Sequence, residues 1–167
     1  LKAMEEIVRL SSDGQRVQYL ALLRRPTGAA LAEAQIAWSK RAGIGVVHID
    51  FELLPARVRC VHEGLRRMIP RHSKLRYANM LKPLLLWLLP SSVKLALTLD
   101  EDMVPLRPID ALLEHFSLMR RKGAMMGMVP EQSRFYKTGV AMPNGVPGYN
   151  GGLQLHDLER MRQSGTW

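Results

Sequence analysis

The sequence predicts an α/β fold with a mostly parallel sheet. Three observations carry that expectation. Strand-like apolar runs alternate with stretches of helical periodicity along the chain. The first such trio is strand, helix, strand, and that order demands a crossover and hence a parallel pair. The run 93–102, VKLALTLDED, reads as a strand that ends in acid, and ligands of open α/β sheets sit outside the carboxyl ends of strands.

Taken in order, residues 1–10 (LKAMEEIVRL) are amphipathic at helical spacing, and Ser11-Ser12-Asp13-Gly14 ends them. Residues 17–23 (VQYLALL) read as a buried strand, Pro26-Thr27-Gly28 as a turn, and 29–42 as an Ala-rich helix. Gly43 and Gly45 precede a second strand at 46–49. A helix is expected over 58–68, with Pro70 ending it, and a stronger one over 74–89, kinked or split by Pro83. In the next strand Val93, Leu95, Leu97 and Leu99 alternate with Lys94, Ala96 and Thr98. A short extended piece follows at 104–108, then an amphipathic helix at 109–119 and a strand at 125–129. Residues 130–148, rich in Gly, Pro and polar residues, form a long loop of the kind that often carries function. A last strand at 151–155 leads into a helix that starts at 157–161. No internal repeat and no low-complexity tract interrupts this order.

The 167 residues suffice for a single domain with a real core. Hydrophobic residues make up 47% and charged residues 23%, an ordinary globular mix. The net charge of +9 invites a nucleic-acid reading, but the basic residues are scattered and only 6% of residues are aromatic, so stacking platforms are sparse. A phosphorylated small molecule or an anionic membrane face suits the same charge. Cys60 is the only cysteine, which excludes an intrachain disulfide or a cysteine-rich zinc site. The best apolar run, 81–90, is too short to span a bilayer and is broken by Lys82 and Pro83. There is no dinucleotide fingerprint, no P-loop and no nucleophile elbow. The five histidines show no metal-ligand spacing. The chain begins with Leu and stops just after a helical stretch, which reads as a piece of a longer protein.

The acidic pair is the strongest chemical signal. In extended chain Asp100 and Asp102 point to one side, with Cα atoms roughly 6.6 Å apart. They can share one divalent cation, or they can simply stop the strand and cap the next turn; spacing leaves both open. A hard cation with oxygen ligands would be Mn²⁺ or Mg²⁺.

Two blocks resemble glycosyltransferase family 8. The first is LLPSSVKLALTLDEDMVPLRPIDALLEHF at 88–116, with an LP pair, an apolar strand, D-x-D and a short helix. The second is PGYNGGLQLHDLERMRQS at 147–164, which is similar to the family's G-[FY]-N-[ST]-G signature. PGYNGG and LERMRQS look most like xyloside xylosyltransferases, and GMVPEQSRFY at 127–136 looks like LARGE-type xylosyl- and glucuronyltransferases. The likeness is good from Lys74 onward and only compatible before it.

The resemblance implies a GT-A fold, Rossmann-like and incomplete at both ends, and a retaining transfer from a UDP-sugar to a glycan or glycoprotein acceptor. It implies that Asp100 binds ribose and metal and Asp102 the metal, with Glu101 in the variable position. Asn150 would face the donor sugar, and Gly151 and Gly152 would let backbone approach it; relatives carry Ser, Thr or Ala where Gly151 stands. Lys82 falls near the nucleotide, and Gln132 and Ser133 border the sugar sites. No protein nucleophile or base is implied, since the leaving phosphate helps deprotonate the acceptor. The uracil-binding strand is expected before Leu1 and a third metal ligand, a His, beyond Trp167. The same resemblance implies the endoplasmic reticulum or Golgi lumen in a eukaryote, behind a membrane anchor outside this stretch, and the cytoplasm in a bacterium. Two alternatives stand beside it: a nucleotidyltransferase-like enzyme, and a non-catalytic basic module that binds nucleic acid or acidic polymers.

Overall fold

The computed structural model describes residues 20–24, 28–43, 45–49, 54–68, 82–100, 103, 106–132 and 148–165. The helix expected over 1–10, the first part of the strand at 17–23, residues 74–81 of the long helix and the start of the extended piece at 104–105 lie outside the described residues. The chain divides into two units, Leu1–Gly64 with Val104–Leu113, and Leu65–Met103 with Glu114–Trp167.

In the first unit, strands β1 (Leu20–Arg24) and β2 (Gly45–Ile49) flank helix α1 (Ala29–Ala42). The strands pair in parallel, Leu20 opposite Gly45 through Arg24 opposite Ile49, as the strand–helix–strand pattern requires. Helix α1 stops at Gly43, whose φ of 67° is left-handed backbone that a side chain disfavours, and whose N–H bonds the Ser39 carbonyl. Lys40 and Arg41 in its last turn complement the helix dipole. Helix α2 (Ala56–Met68) buries Val58 and His62, one turn apart, and leaves Arg57, Arg59, Arg66 and Arg67 exposed. The helix expected over 109–119 is two pieces. Residues Ile109–Leu112 form a 3-10 turn, with Leu113 N–H donating to the Asp110 carbonyl, and α4 (Glu114–Arg121) follows.

The second unit carries the candidate site. A 3-10 turn at Lys82–Leu84 runs into the single-turn helix α3 (Leu85–Leu88). Pro83 sits at the start of this segment, where its missing N–H costs nothing. Strands β3 (Leu95–Leu99), β4 (Met126–Pro130) and β5 (Tyr149–Asp157) form a three-stranded sheet in the order β3-β5-β4. Both pairings are antiparallel, which corrects the expectation of a mostly parallel sheet. The physical reason is insertion. Strands β3 and β4 both run opposite to β5, so they run the same way as each other, as a helical crossover dictates. They are not neighbours, however, because β5 occupies the place between them.

Helix α4 packs on β4, and helix α5 (Leu158–Ser164) packs on α3 and β3. The core they make contains Leu84, Leu85, Phe116, Met119, Leu155, Leu158 and Met161. Gly127 allows the approach of α4: a Cβ there would lie 3.2 Å from Met119 Sδ and 3.3 Å from Leu155 Cδ1. Asp157, fully buried, caps α5 by accepting from Arg160 N–H, and it takes two hydrogen bonds from the Arg120 guanidinium, at 2.6 and 3.1 Å. Burial alone would push its carboxyl up; the Arg120 bond, the Arg160 N–H and both nearby guanidinium charges outweigh that and hold it below the usual carboxylate range. Arg162 on α5 donates to the carbonyls of Leu86, Leu89, Pro90, Ser91 and Val93, so one guanidinium gathers the chain between α3 and β3. Among the described residues no helix is long and apolar enough to cross a membrane.

Candidate functional site

The site forms where β3 ends. The β3–β5 ladder runs from Leu95 opposite Asp157 to Leu99 opposite Leu153, and Asp100 N–H extends it by donating to the Gly152 carbonyl at 2.9 Å. Asp100 is therefore fixed at the carboxyl end of the strand. On the other side of β5 the ladder breaks. Met128 pairs with Gln154, but the next residue, Val129, pairs with Asn150. Residues Gly151, Gly152 and Leu153 are thus left without partners on β4, an irregularity of the kind that re-aims groups beside a site.

That gap turns the Gly151 carbonyl toward Lys82. The Lys82 ammonium donates to Asp100 Oδ1 at 2.6 Å and also to the Gly151 carbonyl oxygen. Lys82 is 7% exposed, so it is a buried cation held by one carboxylate and one carbonyl rather than a solvated helix lysine. Its reach joins positions 18 and 69 residues away in sequence.

Asn150 folds back over the same gap. Its Oδ1 accepts from Gly152 N–H at 2.7 Å, and its Nδ2 donates to Glu131 Oε2 at 3.3 Å. Gly152 is enclosed: a Cβ there would lie 2.8 Å from Asn150 Oδ1, 3.3 Å from Met103 Sδ and 3.5 Å from Asp100 Oδ2. Gly151 is not, because its Cβ would meet only Gln154 Nε2, at an ordinary 3.5 Å.

Behind this cluster lies His156, 1% exposed, with Nε2 3.1 Å from Gln154 Oε1. A carboxamide oxygen only accepts, so Nε2 carries the proton. Burial, and then the Lys82 charge, push the imidazole down to about 4. It is neutral at physiological pH and adds no charge to the site.

Of the residues singled out in the sequence, Lys82, Asp100 and Gly151 converge directly, and Asn150 and Gly152 adjoin them. Gln132 does not join them among the described residues: its Nε2 donates to the Pro130 carbonyl and its N–H to Glu131 Oε1, so its bonds stay in its own loop. Glu101, Asp102 and Ser133 lie outside the described residues. Among the described residues no group of three or more His, Cys, Asp and Glu side chains is placed to hold a metal ion. Asp100 supplies a hard oxygen for one: Lys82 occupies Oδ1, and no described residue bonds Oδ2. Sequence reasoning did not single out Glu131; the signal that could have found it was its place at the start of the long 130–148 loop, just after a strand that flanks the site.

No protein-family model matches the sequence, and no curated protein sequence matches it significantly. Solved structures do. The fold is glycosyltransferase-like. One such structure is apo mouse xyloside xylosyltransferase 1, matched with a TM-score of 0.68 at 20% identity over 98% of this chain and 61% of that one. The chain therefore spans less than two thirds of that protein's length, and at this identity the likeness is one of fold.

Proposed function

We propose that the chain is the donor-binding part of a retaining glycosyltransferase that moves xylose or a hexose from a UDP-sugar to a glycan or glycoprotein acceptor. The observation that carries this reading is the convergence of Lys82, Asp100 and Gly151, beside Asn150, on a glycosyltransferase-like fold. In this reading Asp100 and Asp102 would hold Mn²⁺ or Mg²⁺ through carboxylate oxygen, and the cation would supply positive charge to the diphosphate leaving group. Lys82, already poised at Asp100, adds a second positive charge facing the same phosphates. Asn150 offers an amide N–H and an amide oxygen to sugar hydroxyls. Positioning and electrostatic stabilisation supply most of the rate, and the chain contributes no nucleophile of its own.

Calorimetry of UDP with and without Mn²⁺, on the protein extended at both ends and on its Asp102→Asn variant, tests this. Binding that needs Mn²⁺ and is abolished in Asp102→Asn is the expected result. UDP binding that ignores the metal would leave Lys82 as the sole counter-charge and remove the cation. No UDP binding at all, together with salt-steep binding to random oligonucleotides, would favour the basic nucleic-acid module instead.

A further inference from the structure

We propose that Glu131 is a positioning residue for the donor sugar: it fixes the side-chain amide of Asn150 in one orientation. This rests on the donor-site reading above. An asparagine amide can turn end for end unless its partners differ in kind. Here they do. Gly152 N–H only donates, so it selects Oδ1; a carboxylate only accepts, so Glu131 selects Nδ2. With both ends assigned, one Nδ2 hydrogen and one Oδ1 lone pair remain for a ligand, and their directions are set before it arrives.

Glu131 is itself held. Its backbone N–H donates to the Gly148 carbonyl at 2.8 Å, and its Oε1 accepts from Gln132 N–H at 2.8 Å. The first bond continues the pairing of Pro130 with Tyr149 by one step. Glu131 therefore braces Asn150 twice, through the backbone that leads into β5 and through the side-chain amide. It lies one step past the Val129–Asn150 and Pro130–Tyr149 pairs, the short stretch of ladder that resumes after the unpaired residues 151–153. A support of this kind is what a binding group at a broken ladder requires.

The test is a double-mutant cycle on the protein with UDP-xylose, UDP-glucose and UDP-galactose as donors. Donor hydrolysis gives kcat and KM, and calorimetry gives UDP affinity. For the donor that the wild type turns over fastest, Glu131→Ala should lower kcat/KM about tenfold with UDP affinity unchanged. Glu131→Gln should recover part of that loss, because its amide oxygen can still accept from Asn150 while the bond from Gln132 N–H is given up. In an Asn150→Ala background, Glu131→Ala should add nothing. Equal losses in both backgrounds, or a fall in UDP affinity that matches the fall in kcat/KM, would show a role outside Asn150 and overturn the proposal. The Gln variant keeps the test decisive if the Ala variant folds poorly: activity as low as that of Asn150→Ala would also sink it. A wild type that binds no UDP would instead bring down the donor-site reading, and this proposal with it.

Discussion

Gly151 and Gly152 are adjacent, yet a methyl group fits at one and collides at the other. At Gly152 the collision is with Asn150 Oδ1 at 2.8 Å, inside the bond that Gly152 N–H makes to the same atom. Gly152→Ala should therefore displace the Asn150 amide and cut donor turnover by about tenfold or more, while Gly151→Ala should stay within about twofold of wild type, since its Cβ makes only ordinary contact. Equal effects in a steady-state donor assay would contradict this account of the pair. The sequence showed two glycines at the start of a strand and could not tell which was sterically required. It marked Lys82 and Asp100 as separate candidates, because an ion pair across 18 residues leaves no trace in local spacing.

At the scale of elements, α5 is secured by two arginine clusters. Asp157 is fully buried, and its partner Arg120 is partly exposed. Asp157→Asn keeps the shape but removes the charge that pairs with Arg120; a loss on the order of 3 kcal/mol is expected from chemical denaturation. Arg162→Lys should also destabilise, by about 2 kcal/mol, because one ammonium cannot reach the five carbonyls that the guanidinium serves. It should also lower donor affinity, since those carbonyls follow directly on the segment that carries Lys82. Element positions were largely legible: α1 falls at 29–42 as expected, and the strands at 46–49 and 125–129 are within a residue of β2 and β4. Apolar periodicity reports these directly. The strand at 151–155 is longer than expected, Tyr149–Asp157. The expected bounds left out Tyr149 and Asn150, which become strand only by pairing with Pro130 and Val129, about 20 residues away in sequence.

For the molecule as a whole, pH is the simplest probe. His156 has an ordinary value of 6.5 and sits at about 4 when folded. Between those values the unfolded chain carries a proton that the native state does not, so stability rises with pH from about 4 to 6.5 and is lost as pH falls through that window. The full difference is on the order of 3 kcal/mol. Melting temperatures should therefore drop from pH 7 to pH 5, and His156→Gln should flatten the slope. A wild type that melts alike at both values would contradict the buried neutral imidazole. Asp157, held below its ordinary 3.8, contributes stability that disappears only in stronger acid. Sheet order was the least legible feature. Alternating strands and helices reveal the direction of β3 relative to β4, but nothing local records that a later strand comes to lie between them.

That order has a consequence for how the protein is made. Of the three described strands of the second unit's sheet, the central one leaves the ribosome after the other two: Thr98 waits for Gln154, which follows 56 residues later. Until then β3 and β4 have emerged without the strand that satisfies their inner backbone edges. Pairing across such separations is slow and leaves nascent chains open to association with one another. Chains released before Tyr149 should accumulate as aggregate, and expression yield should respond to chaperones more than the stability of the finished fold would imply.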